Sequence, residues 1–342
     1  MKNIKSSKSI APVLTLMLLA PLLAEVLPGA TRFSSMFVFP VEFLVWGGGA
    51  LLIRYAFRKW HLGWLNLLLM ALALSIAEEF LIQQTSLAPM VIQIKGGEYA
   101  RAFGVNYVYL LWALIYESVF VVFLPIYLTE LIFPKRREEL WIGKFGVITT
   151  SLLFVLGSFM AWFSWTQIAR PKVFHVPAYN PPLVMVLIAI ALIGALLYAS
   201  LGASRNRLTR TARPLNPPPS WILATIGGIW AVLLYGIVVL AFGLSPDFLP
   251  AIAIGTGIVL AAVPLYLVPR WTRNPQWNNS RVFALIFGTI LGSMLVGFVG
   301  FMDTVNIDLY FKILVNIIAV VLLIRLGVRM KRPSASEYEI LN

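Results

Sequence analysis

Residues 221–244 read WILATIGGIWAVLLYGIVVLAFGL, without one charged side chain. About 18 or more uncharged apolar residues are what a helix needs to cross a bilayer. Runs of the same kind occupy 145–169, 248–269 and 282–302. Inside hydrocarbon the backbone must bond to itself, so a spanning segment is a helix or part of a closed barrel. Barrel strands alternate apolar and polar residues with period two, and these runs do not. The fold class expected is all-α, a polytopic transmembrane helix bundle.

Composition agrees. The chain is 60% hydrophobic and 12% charged, against roughly 25% charged in soluble domains. Outward from the opening stretch, ten spans are expected at about 10–27, 36–53, 62–82, 105–132, 145–168, 183–203, 221–243, 248–268, 282–302 and 307–324. Of the 27 Lys and Arg residues, 21 fall in alternate connections and at the two ends. They are Lys2, Lys5, Lys8; Arg54, Arg58, Lys59; Lys135, Arg136, Arg137, Lys144; Arg205, Arg207, Arg210, Arg213; Arg270, Arg273, Arg281; and Arg325, Arg329, Lys331, Arg332. The positive-inside rule then places both termini in the cytoplasm of a multi-pass cell-membrane protein, in a bacterium the inner membrane. It also explains the net charge of +13 without nucleic acid. The bilayer is the expected partner, with a small solute or proton as ligand and any protein partner left open. Lys2 to Lys8 followed by 10–24 also has the layout of a secretory leader; a retained first helix is the reading taken.

With no cysteine, and with His61 and His175 both in loops, thiolate chemistry and a zinc site have no parts. No metal or other cofactor is expected. A Walker-type phosphate loop is absent as well. Three units follow: an acidic four-helix module at 1–134, a six-helix scaffold at 135–332 and a short tail at 333–342. In the scaffold, Ala191, Ala195, Ala199 and Ala203 recur every four residues, and Gly288 and Gly292 form a small-residue pair. Both patterns point to close helix contacts. Gly47, Gly48 and Gly49 either invite another backbone to approach or mark a hinge below Glu42, and Trp60, Trp64, Trp141 and Trp271 read as an interfacial belt.

The acids are concentrated in the first module. Glu25, Glu42, Glu78, Glu79, Glu117 and Glu130 lie in its spans, although each charge in hydrocarbon costs about 2.5–3.5 kcal/mol on insertion scales. At about 1.5 Å per residue, Glu25 falls about 8 Å, Glu42 about 9 Å and Glu79 about 5 Å below the outer face, and Glu117 about 18 Å. Helical spacing adds Asn106 above Glu117, and Ser75 and Gln83 on either side of Glu79. The candidate polar site is therefore Glu25, Glu42, Glu78, Glu79, Gln83, Asn106 and Glu117, around an outward-facing cavity. Lys312 is the one basic residue within a span. It is read either as the partner of Asp308, reaching outward, or as a counter-charge to the glutamates. Glu130 is expected to form an ion pair with Lys135, Arg136 and Arg137. The loop 83–104, with a turn expected at Gly96, Gly97 and Glu98, is long enough to form a lid or a re-entrant piece, and an ordinary loop is the reading taken.

Residues 76–80, Ile-Ala-Glu-Glu-Phe, resemble the paired-glutamate motif of the CPBP intramembrane proteases, the family of CAAX-processing and bacteriocin-immunity proteins. That resemblance implies a polar site at Glu78 and Glu79. The family's following arginine is Gln83 here, and its Phe-x-x-x-His is matched only by Ala113 to Glu117. Three function classes remain: a proton-linked transporter or solute-binding protein, an intramembrane hydrolase, and a noncatalytic membrane subunit.

Overall fold

The computed structural model describes residues 10–89, 91, 99–202, 213–245, 247–301 and 306–331. Lys2, Lys5, Lys8, Lys95, Arg205, Arg207, Arg210, Arg332, the fourth alanine of the row (Ala203) and the tail 333–342 lie outside those residues. Among the described residues these long helices follow in order: α1 (Ala11–Val26), α2 (Phe33–Lys59), α3 (Trp64–Ile82), α4 (Tyr107–Ile132), α5 (Lys144–Val173), α6 (Leu183–Gly202), α7 (Ser220–Leu244), α8 (Pro250–Trp271), α9 (Asn279–Phe301) and α10 (Ile307–Met330). Among the described residues, α2 to α10 are the nine long and apolar enough to cross a membrane. The protein is a multi-pass membrane protein. α1 is shorter, about 24 Å at the helical rise, and Leu16 and Ala20 on it are fully buried in the bundle.

Backbone chemistry explains several contacts. Pro21 has no N–H to offer the Met17 carbonyl, and that carbonyl faces Gly47 of α2, where a Cβ would lie 2.4 Å from it. Gly47 is thus the point of backbone approach that the glycine triplet foretold. α7 and α9 pack most closely: a Cβ on Gly288 would meet the Ala224 carbonyl at 1.8 Å, and one on Gly292 the Gly228 carbonyl at 2.4 Å. The small-residue pair therefore works within the chain.

The alanine row of α6 does not. Ala191, Ala195 and Ala199 are exposed, and α6 meets α3 through Ala189, Ile193, Leu196 and Ser200. Ser200 supplies the reason: its carbonyl accepts a hydrogen bond from the buried Asn66 side chain at 2.5 Å, which orients the helix. Trp141, in the connection between α4 and α5, and Trp271, the last residue of α8, are both buried in the bundle. Trp141 lies flat beneath the Arg54 guanidinium, 3.1 Å from ring centre to Cζ.

That guanidinium belongs to a second correction. Glu130 pairs with Arg54 at 3.2 Å and Arg58 at 2.6 Å, both from α2, as well as with Arg137 at 3.3 Å. Lys135 and Arg136 are not its partners; Arg136 pairs with Glu139 at 2.9 Å. Arg54 also donates to the Glu139 and Arg137 carbonyls at 3.1 and 2.8 Å. The connection between α4 and α5 is thereby fastened to α2.

Candidate functional site

The four helices α1 to α4 each leave α-geometry beside a glutamate. Wider turns with i to i−5 bonds occupy Leu22–Val26, Phe43–Gly47, Glu78–Ile82 and Glu117–Phe123. Glu25 lies in the first, Glu42 immediately precedes the second, and Glu78 and Glu117 open the last two. Such turns re-aim side chains and concentrate at functional sites. Here they carry five carboxylates into one neighbourhood.

The five are linked in sequence. Glu42 accepts a short hydrogen bond from the Thr31 hydroxyl on one oxygen, while its other oxygen is buried and unpartnered. It lies within electrostatic reach of Glu25. Glu25 faces the Tyr116 hydroxyl at 2.9 Å, and that same hydroxyl is 2.6 Å from the Ala24 carbonyl. A phenol has one proton for these two acceptors. Glu78, 2% exposed, stands within reach of Glu79, Glu25 and Glu42, and neither of its oxygens has a hydrogen-bond partner. Glu79 accepts from the Ser86 N–H at 2.8 Å and the Ser86 hydroxyl at 2.5 Å, and it lies within electrostatic reach of Glu117. The Ser75 hydroxyl donates to the Ala71 carbonyl at 3.1 Å. Among the described residues no ion pair involves any of the five.

Asn106 is used differently: its side chain caps α4, accepting from the Tyr109 N–H at 3.0 Å and donating to the Tyr99 carbonyl at 3.2 Å. Gln83 gives its backbone N–H to the Glu78 carbonyl at 2.9 Å, closing the wide turn.

Lys312 does not pair with Asp308. Asp308 is taken by the Ser34 N–H and hydroxyl at 2.8 and 2.9 Å. Lys312, 1% exposed, donates to the carbonyls of Leu27, Pro28 and Met294 at 2.8, 3.2 and 3.3 Å. Its ammonium caps the C-terminal end of α1, where free carbonyls favour a cation. The lysine touches the segment that follows Glu25 rather than a carboxylate.

Loop residues complete the arrangement. Ser86, Leu87 and Ala88 are buried. Arg101 bonds the Leu87 and Ala88 carbonyls, Arg170 bonds the Pro89 carbonyl, and the Asn106 N–H takes the Ser86 carbonyl. Arg101 begins a two-strand ribbon, β1 (Arg101–Ala102) and β2 (Val105–Asn106), turned by Phe103 and Gly104 at positive φ. Residues 84–88 are thus folded over Glu79; the expected turn at Gly96, Gly97 and Glu98 lies outside the described residues. Thr31, Ser86 and Tyr116 were not legible as site residues. Two are in connections, and Tyr116 reads as one more aromatic in an apolar helix.

Among the described residues no group of three or more His, Cys, Asp or Glu side chains is placed to hold a metal ion. A cavity of about 540 Å³ lies elsewhere, lined by α3, α4, α7, α8 and α9 and by none of the five glutamates. Compared with protein-family models, with curated proteins and with solved structures, the chain matches none.

Proposed function

We propose that this membrane protein binds protons, and through them a solute, at the group formed by Glu25, Glu42, Glu78, Glu79 and Glu117, as a proton-linked transporter or solute-binding protein does. The observation that supports it is Glu78, buried beside Glu79, Glu25 and Glu42 with neither oxygen hydrogen-bonded. Carboxyl groups crowded into one apolar neighbourhood without cations cannot all carry charge. An ionised carboxylate buried without a donor costs several kcal/mol. The group therefore stores protons or awaits a cationic or hydroxyl-rich ligand, and changes in its occupancy carry free energy. The basic connections are assigned to the cytoplasmic side of the cell membrane, which puts the Ser86 loop and its glutamates toward the outside. A hydrolase of the kind the paired glutamates resemble would use the same carboxylates as acid and base.

The test uses Glu78→Gln, Glu79→Gln and Glu117→Gln in purified protein. Infrared difference spectra across a pH titration should show protonated-carboxyl bands that each replacement removes. Proteoliposomes with an internal pH dye should show proton flux that falls about tenfold or more, the loss of a group acting in transfer. If all three variants titrate and conduct as the parent chain does, the proposal fails.

A further inference from the structure

The cavity on the other side of the bundle has its own chemistry. Trp64, Val119, Phe123, Trp230, Pro264 and Trp271 line it, and among the described residues Arg137 is the single charged one on its wall. Pro264 stands on its α8 side. Lacking an N–H, this proline leaves the Leu260 carbonyl without its helical donor, and the Trp230 indole supplies one across the gap at 2.8 Å. The indole thus ties α7 to α8 across the wall of the cavity. The cavity lies toward the end of the bundle where Arg137 and Thr272 stand in the basic connections.

Two of its polar groups are incompletely matched, and both are donors. The Trp64 indole N–H is buried without a partner. Arg137 has only the longest contact to Glu130, at 3.3 Å, and shares that carboxylate with Arg54 and Arg58. Arg58 has Glu138 besides, at 2.8 Å, and Arg54 has two carbonyls and the Trp141 face. Arg137 is left with the least compensated charge, 39% exposed. An occupant with a long apolar body and an anionic, acceptor-rich head satisfies each of these features. In a membrane protein the bilayer provides such molecules, and basic pockets between helices on the side of basic loops select anionic headgroups.

We infer that this cavity is a binding site for one anionic phospholipid, with acyl chain along Val119, Phe123 and Pro264 and the headgroup oxygens on Arg137 and the Trp64 indole. The site is independent of the glutamate group. The experiment uses the full chain, purified and exposed to phosphatidylglycerol, phosphatidylcholine or inorganic phosphate. Native mass spectrometry should retain phosphatidylglycerol over phosphatidylcholine by about fivefold, the discrimination of roughly one arginine. Arg137→Gln should erase that preference, and Ile226→Trp, which fills the cavity, should remove the adduct. A photoreactive phosphatidylglycerol on the unaltered chain should label peptides of α8 and α9 that line the cavity, a readout that needs no variant to fold. Equal retention of both lipids, labelling spread over the outer helix faces, or protection by inorganic phosphate alone would each overturn the inference.

Discussion

At the scale of single residues, the five glutamates and Glu130 are chemically alike and structurally opposite. Glu130 is surrounded by three guanidiniums, whereas the other five meet hydroxyls, an amide, one another or no partner. Glu130→Gln should therefore lower stability by about 3–5 kcal/mol, since it strands buried arginines. It should leave the protonated-carboxyl spectrum untouched. Thermal unfolding in detergent checks the first outcome and infrared titration the second. Ser86→Ala removes one of the two donors that Ser86 gives Glu79. A loss of about 1 kcal/mol is expected. Faster amide hydrogen exchange in 84–89, with the rest of the chain unchanged, would locate it.

At the scale of elements, ideal helical spacing found the right helices but not the right faces. Glu78 and Glu79 are neighbours in sequence, and a regular helix would turn them about 100° apart. The wide turn that they open lets Glu78 address Glu25 and Glu42 while Glu79 addresses Glu117. Nothing in residue type announces such a turn, because i to i−5 bonding is a response to packing and to nearby prolines such as Pro21 and Pro125. The Lys312 clamp belongs to this scale too. It joins α10 to the end of α1 through carbonyls, which any residue supplies, so no motif marks the partner. Lys312→Met should leave three carbonyls short of a donor and cost about 1–3 kcal/mol. An unchanged Tm in the purified variant would show that the clamp contributes nothing.

At the scale of the whole molecule, the orientation proposed above can be read directly because the chain has no cysteine. Single cysteines at Lys135, Gln276 and Ala178, all exposed, report on the connections α4–α5, α8–α9 and α5–α6. A membrane-impermeant maleimide added to intact cells should label Ala178→Cys, and should reach Lys135→Cys and Gln276→Cys only after permeabilisation. Labelling of all three in intact cells would break the assumed topology.

The amino-acid sequence determined the solvent of this protein, its helices and most of their limits, because transfer of apolar side chains is a sum over local segments and needs no partner to be evaluated. It also showed which spans carry acids. The tertiary structure alone decided which acids meet, that Lys312 binds carbonyls instead of carboxylates, that the alanine row of α6 faces outward, and where the cavity lies. Those outcomes depend on helix rotation and on long-range contacts to backbone groups, and neither is encoded in the identity or spacing of residues along one helix.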